Sequence, residues 1–475
     1  MARGPDVQTL VRRSAEVQPL WALLRTVDRA RYLRRAAQAV IDEFDELERL
    51  LGDAHGRPSG EIAALELLPA IDALTWLADT GVRALGERKL PVPRATQPFA
   101  RARLAYEPLG VVAIVGASDA PFAQPLWQVG AALLAGNGVV LKPSPRAPLA
   151  GERIARIFTR ASLPEGLLGL ATGADDVGRE LVGAPGLARV MFTGTREAGH
   201  QVALACAEAD VSVGLEVEGM GAALVLSDAG IARAAAGTVN AAFAAAGRSR
   251  GALRRAFVVR DVHESWLAAV SAHAAKAPPV SDAGRAPELI EEAVAAGARL
   301  VCGGPLADGS FAPAVLDGVT DAMLAGREPA DGPLLAVTPV ADADEALAAA
   351  RRLDPGPGTS VWTADRYEGA RIARALRTGS TWLNDHHVSP AVPAVPWGRG
   401  AGGDDAVRSF AARRAIVWNP PTRRGLWWGP YDAAADRAAR AVARLRSVRD
   451  ADRERALREG ALPIARIAVR ALRRR

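Results

Sequence analysis

Cysteine is nearly absent from these 475 residues: Cys206 and Cys302 are the only two, far apart in sequence. Such a pair excludes a disulfide framework and fits a reducing compartment, so a cytoplasmic protein is expected. Histidine is scarce as well, with six residues and no Cys/His ligand spacing, so no metal site is indicated. Long apolar runs are missing: none reaches the ~18 residues that crossing a bilayer requires. The start, Met1-Ala-Arg-Gly-Pro-Asp6, leads into charged and polar residues rather than an apolar stretch, and no secretory signal is evident. Lysine is almost entirely replaced by arginine, since Lys89, Lys142 and Lys276 are the only lysines among 59 basic residues. With Ala and Gly abundant, that bias reflects coding composition more than chemistry. It makes a lysine at a motif position more informative.

The net charge of +6 is unevenly spread. Residues 421–475 hold 15 Arg against six Asp or Glu, which leaves the first 420 residues at −3. Attraction to an anionic partner is therefore confined to the tail, and the body is not a nucleic-acid binder.

Along the chain, residues 1–25 give weak signals. Leu33, Ala37, Val40, Phe44, Leu47 and Leu51 recur at helical steps and predict one amphipathic helix over 27–51, stopped by Gly52. A second helix is expected over 61–79, followed by a Pro- and Arg-rich connecting arm over 90–102. From Gly110 a regular alternation begins. Val111-Val-Ala-Ile-Val115 is a short continuous apolar run, as in a strand buried on both faces. Helix 122–134, strand 139–141, helix 149–161, strand 167–171, helix 176–182, strand 189–193 and helix 195–208 continue it. A second set follows: strands near 213–217 and 222–226, helix 229–246, strand 255–259, helices 262–275 and 287–296, strand 300–302, helices 344–352 and 367–376, and strands 360–362 and 380–383. Repeated β-α-β units mean parallel sheets with right-handed crossovers. The two sets meet near Gly247-Arg-Ser-Arg250-Gly251.

Several stretches occur together in a fixed order: Tyr106-Glu-Pro-Leu-Gly110, Ala135-Gly-Asn-Gly138, Lys142-Pro-Ser144, Met191-Phe-Thr-Gly-Thr195, Leu215-Glu-Val-Glu-Gly219, the turn at 247–250, Gly303-Gly304, Glu328 to Pro333 and Trp382-Leu-Asn-Asp385. Each alone is weak. In this order, over residues 25–420, they resemble the aldehyde dehydrogenase superfamily. The resemblance implies an α/β, aldehyde dehydrogenase-like fold: two doubly wound parallel-sheet domains, an oligomerisation arm and, here, a basic helical tail. It divides the chain into a dinucleotide-binding domain at 1–215 (with an arm segment at about 90–109), a catalytic-type domain at 216–385, an arm at 386–420 and the tail at 421–475. The implied activity is oxidation of an aldehyde to a carboxylic acid with NAD or NADP. The implied assembly is a homo-oligomer, dimer or tetramer, or a hetero-oligomer with an active relative.

The cofactor reading also stands on the residues. A strand entering a Gly194-Thr195 turn and then a helix presents free N–H groups and the helix dipole to an anion, although a plain tight connection looks the same. Lys142, at a strand end, can reach a ribose hydroxyl. By resemblance the cofactor-binding set is Lys142, Ser144, Gly194, Thr195 and Glu328.

The departures lie in the chemistry. Aldehyde oxidation in this family needs a thiolate, and the alignment of Gly247 and Arg255 places Arg250 at the cysteine. A guanidinium is permanently charged and is no nucleophile. The oxyanion-stabilising asparagine aligns with Asp119, which when ionised repels a developing oxyanion. The general-base glutamate is retained as Glu216. Pro145 and Pro329 stand where the family carries ribose-binding carboxylates, and Asp175 replaces a glycine near the adenine side. Cys206 and Cys302 are expected as small buried residues, and Ser249 lacks an evident base. Losses on both the chemical and cofactor sides point to an inactive or impaired member, with Arg250 paired to Asp119 or Glu216 across the former pocket. The alternatives are an active oxidoreductase with altered chemistry and a non-catalytic, membrane-associated scaffold.

In the tail, Gly425-Leu-Trp-Trp-Gly-Pro-Tyr431 leads to an expected helix over 433–458, with Ala438, Ala441, Val442, Leu445 and Val448 on its apolar face. A second expected helix, over 462–472, places Ile464, Ile467 and Ala471 on one face with Arg466, Arg470 and Arg473–Arg475 nearby. Two readings fit: helices packed on a neighbouring subunit, or peripheral attachment to an anionic membrane.

Overall fold

The computed structural model describes residues 6–389, 392–396, 402–422 and 424–472. Contacts divide the chain into two compact units, Met1–Ala84 with Pro108–Ala411, and Leu85–Glu107 with Ala412–Arg475.

The first unit is built on two sheets. Strands Leu168–Leu170, Gly138–Lys142, Val111–Val115, Leu187–Gly194 and Ser212–Val217 form a five-stranded sheet in that spatial order, every pair parallel. Val111–Val115 and Gly138–Lys142 are buried along their whole length, as strands covered on both faces must be. The second sheet has seven strands, in the order Arg299–Pro305, Phe311–Asp317, Leu334–Val340, Leu253–Val259, Met220–Val225, Pro355–Trp362 and Ser380–Leu383. Its edge pair, Arg299–Pro305 with Phe311–Asp317, is antiparallel, so this sheet is mixed rather than wholly parallel. Strands Phe311–Asp317 and Leu334–Val340 were not expected. Each carries an internal proline, Pro313 or Pro339, which reads against a strand in sequence.

Other differences have local causes. The weak N-terminal region holds helix Val7–Ala22, anchored by Ser14 Oγ donating to the Leu167 carbonyl (3.1 Å) and Trp21 Nε1 donating to the Leu133 carbonyl (2.9 Å). The single helix expected over 27–51 is two, Thr26–Asp42 and Phe44–His55. The break falls at Glu43, whose buried carboxylate meets Arg160 at 2.7 Å and Arg156 at 3.3 Å. The helix expected to run to 246 ends at Phe243, and the following strand begins earlier than expected, at Leu253. Cys206 is fully buried in a core cluster, whereas Cys302 is only half-buried, contrary to expectation.

In the second unit, Arg88–Leu90, Arg101–Pro108 and Ala411–Trp418 make a three-stranded sheet, so the expected connecting arm contains strand. The tail folds as Ala433–Arg444 and Asp450–Leu472. The expected break near residue 460 is therefore displaced to 445–449, and Pro463 lies inside the second helix. Ala438, Ala441 and Val442 are buried as expected, but Leu445 and Val448 are exposed because the first helix has already ended. Gly460 lies against Ala441, where a Cβ would come within 2.1 Å, so the two helices approach closely at that point. Arg473–Arg475 lie outside the described residues.

Candidate functional site

Three segments converge where the two sheets of the first unit adjoin. Asp119 lies in the loop between strand Val111–Val115 and helix Ala123–Ala135, and Glu216 sits near the C-terminal end of strand Ser212–Val217. The third segment is the turn between helix Ile231–Phe243 and strand Leu253–Val259. C-terminal ends of parallel strands are where open α/β sheets place their sites.

That turn is tightly specified. Ala245 (φ 55°) and Ala246 (φ 56°) are both left-handed, a conformation that costs a residue with a Cβ about 1–3 kcal/mol each. Gly247 follows at φ 69°, where a Cβ would come within 2.6 Å of the Gly332 carbonyl oxygen. Buried Arg254 braces the turn by donating to the carbonyls of Gly247, Gly332 (3.4 Å) and Ser249 (3.2 Å). His386 Nε2 bonds the Gly251 carbonyl at 2.7 Å, which makes it the protonated ring nitrogen. Burial depresses the His386 pKa to about 4, so the ring is neutral. The Ser249 hydroxyl donates to the Val388 carbonyl at 2.5 Å and accepts from Gly251 N–H at 3.1 Å. It faces a carbonyl, not a base.

Arg250 is 5% exposed. Its Nε meets Asp119 Oδ2 at 2.9 Å, and its backbone N–H donates to the same oxygen at 3.0 Å. Its Nη1 lies 3.6 Å from Glu216 Oε2 and donates to the Glu216 backbone carbonyl at 3.2 Å. The ion pair expected of Arg250, with Asp119 or with Glu216, is thus present with both carboxylates. Glu216 Oε2 also accepts from Gln124 Nε2, and Gln128 Nε2 donates to Thr193 Oγ1 at 3.1 Å. Gln124 and Gln128, one helical turn apart in Ala123–Ala135, thus line the same region.

The charges follow from burial and this guanidinium. Burial acts to raise the Asp119 carboxyl, but the charge of Arg250 and its hydrogen bonds outweigh it and hold Asp119 below its ordinary pKa. Glu216 goes the other way: burial dominates and pushes it above the usual carboxylate value despite Arg250. The Arg250 guanidinium, opposed by burial, is held charged by the two carboxylates. Asp119 Oδ1 and Glu216 Oε1 are buried without a hydrogen-bond partner among the described residues.

The remaining site residues lie elsewhere in the unit. Thr195 caps helix Arg196–Glu208, its Oγ1 accepting from Ala198 N–H at 3.3 Å, at the end of strand Leu187–Gly194. Lys142 is buried, its amine donating to the carbonyls of Pro143 and Gly173, each at 3.2 Å. Burial lowers its pKa against the opposing effect of Asp175 and Asp176. Ser144 Oγ accepts from Arg146 N–H at 3.3 Å. Glu328 is half-exposed and engaged by Arg285 at 2.7 Å. The Gly194-Thr195 turn and Lys142 fit the phosphate and adenosine side of a dinucleotide. The ribose side fits poorly, because Pro145 and Pro329 carry no carboxylate and Glu328 is already paired. No group of three or more potential metal ligands occurs among the described residues.

Arg254, His386, Gln124 and Gln128 escaped sequence reasoning. The i, i+4 spacing of the two glutamines in an otherwise apolar helix was the available signal; buried Arg254 and His386 gave none.

The sequence profile of the aldehyde dehydrogenase family matches residues 1–403. Betaine aldehyde dehydrogenase of Cereibacter sphaeroides is 32% identical over 402 residues, covering 81% of this chain and 82% of the relative. Among solved structures, a Mycobacterium tuberculosis aldehyde dehydrogenase complexed with NAD+ superposes with a TM-score of 0.81 at 27% identity, covering 88% of this chain and 90% of the other. An NADP-dependent glyceraldehyde-3-phosphate dehydrogenase from Bacillus halodurans, complexed with NADP, gives 0.79 at 25% identity, covering 87% and 91%.

Proposed function

The chain belongs to the aldehyde dehydrogenase family, and from that premise we propose that it is a non-catalytic member whose reaction centre is closed by Arg250. The observation that carries this reading is the buried guanidinium held between Asp119 and Glu216, at 2.9 and 3.6 Å. Oxidising an aldehyde through a thiohemiacetal needs a thiolate, an oxyanion donor and a general base. Here an arginine stands at the first position and an ionised carboxylate at the second. The third, Glu216, has Oε2 engaged by Gln124 and facing Arg250. A bound nicotinamide dinucleotide supplies a hydride acceptor; the residues of this chain that would hold it are Thr195, Gly194, Lys142 and Ser144, with neither ribose carboxylate in place.

As a non-catalytic member, the chain acts as a cytoplasmic scaffold or as the partner subunit of an active relative, in a homo- or hetero-oligomer. The alternative is an oxidoreductase on an aldehyde with altered chemistry, favoured by the retained Glu216. Reduced-cofactor formation followed at 340 nm over a panel of aldehydes, with NAD+ and NADP+, decides between them. No turnover is expected; turnover that Glu216→Ala abolishes overturns the proposal.

A further inference from the structure

Residues 421–475 extend past the family match, which ends at 403, and their surface has no role in the site described above. From Gly460 the tail's second helix reads Gly-Ala-Leu-Pro-Ile-Ala-Arg-Ile-Ala-Val-Arg-Ala-Leu472, with two arginines and no acidic residue. Its inward face is accounted for: Ala456, Gly460, Pro463, Ile467 and Ala471 recur at three- and four-residue steps and are buried. The opposite face carries Ala461, Leu462, Ala465, Val469 and Leu472, all exposed, with Leu462 at 63% and Leu472 at 51%. A helix end whose outer side is water-facing should be polar there, and this one is apolar on both sides. Exposed Arg466 lies beside the outer stripe, whereas Arg458, one turn before Leu462, is paired with Glu454 at 3.9 Å.

The preceding loop brings aromatic rings to the same end of this hairpin. Arg470 donates to the Pro430 carbonyl at 3.0 Å and pairs with Asp432 at 2.7 Å, while Arg424 N–H donates to the Ala471 carbonyl at 3.1 Å. Trp428 and Tyr431, in the loop these contacts tie down, are exposed at 63% and 84%. Exposed aromatic, aliphatic and arginine side chains thus share one end of a folded hairpin.

We propose that this end is a peripheral docking surface for an anionic lipid bilayer. Ala461, Leu462, Ala465, Val469 and Leu472 enter the headgroup–acyl boundary, Trp428 and Tyr431 sit at the interface, and Arg466 meets lipid phosphates. Attachment is to the surface, because no described helix is long and apolar enough to cross. A second copy of the same face is disfavoured as occupant: with no acidic residue in 460–472, the two copies would set arginine against arginine.

The test is flotation of the full chain with vesicles of phosphatidylcholine alone or mixed with phosphatidylglycerol, at low and high salt. Binding is expected with the anionic vesicles only, weakening as salt rises. Arg466→Gln should reduce it about fivefold, the effect of one basic side chain at such a surface. The outward-facing triple variant L462S/V469S/L472S should abolish it while leaving the thermal unfolding midpoint within a few degrees of wild type. Absence of binding to anionic vesicles overturns the proposal. So does a fall in oligomer size by light scattering in the triple variant, which assigns the face to a second copy. Equal retention of wild type and triple variant on anionic vesicles overturns it as well, since charge alone would then explain binding.

Discussion

Replacing Arg250 by methionine removes the cation and keeps most of the side-chain length, so the change tests charge rather than volume. In the variant, Asp119 Oδ2 still receives the backbone N–H of residue 250, now at 3.0 Å, but loses the guanidinium Nε at 2.9 Å. Asp119 Oδ1 and Glu216 Oε1 already lack partners. Two buried carboxylates then share a pocket without their counter-ion, and removing one partner of a buried ion pair costs about 3–5 kcal/mol. Urea unfolding at pH 7 should show a loss of that size. The pH dependence has a defined sign. The folded pKa of Asp119 is depressed in the wild type, so its stabilisation is present above the ordinary Asp value and lost as pH falls through the lowered one. The variant has no such term, so the gap between the two proteins should hold down to about pH 4 and narrow below it. Adding Asp119→Asn should recover most of the loss at pH 7, since replacing a whole buried pair by neutral groups is often close to neutral in energy. A single variant within about 1 kcal/mol of wild type at pH 7 would refute the reasoning, because it would mean the pair carries no net interaction.

His386, nearly fully buried with a pKa pushed down to about 4, favours the neutral ring in the folded state. Stability from this depression is present above ~6.5 and lost as pH falls from there to 4, about 3 kcal/mol in all; a pH series of unfolding curves in which His386→Gln has the same slope as wild type would exclude this. Ser249→Ala strands the Val388 carbonyl and the Gly251 N–H and should cost about 1–3 kcal/mol in urea unfolding; an unchanged midpoint counts against those contacts. Calorimetric titration should find NAD(P) binding weak, and Pro145→Glu, at an exposed position, should tighten it about tenfold by restoring one charged hydrogen bond. Unchanged affinity would show that the ribose does not reach this residue.

Much of the architecture was legible because the strands of the first sheet are continuous apolar runs and the helices between them are periodic. What escaped had physical reasons. Strands Phe311–Asp317 and Leu334–Val340 hide behind internal prolines, and the break at Glu43 depends on arginines more than 110 residues away. The positions of Asp119, Glu216 and Arg250 were readable from local motifs, whereas their supports were not. Arg254 acts on backbone carbonyls and His386 on a carbonyl 135 residues distant, and neither interaction leaves a pattern in sequence. In the tail, the apolar face of the first helix was legible but its end was not, because Leu445 and Val448 continue the period past the point where the chain turns.

The turn that presents residue 250 is fixed by contacts that do not involve its side chain: two left-handed alanines, Gly247, the carbonyl bonds of Arg254 and the Gly251–His386 bond. A cysteine introduced by R250C should therefore occupy the presenting position without rebuilding the turn. What obstructs it is electrostatic. Asp119 and Glu216 would flank the sulfur with negative charge, which raises a thiol pKa and suppresses the thiolate. Combining R250C with Asp119→Asn removes one of those charges and replaces it with a side chain that can donate a hydrogen bond. If each nearby like charge shifts the thiol by about one pKa unit, the double variant should be alkylated by iodoacetamide roughly tenfold faster than R250C alone at pH 7. Buried Cys206 reacts slowly, and half-buried Cys302 is the internal reference in peptide mass analysis. Equal rates for the two variants would place the obstruction in access rather than in charge, and the carboxylate at residue 119 would then not be what keeps a nucleophile from working here.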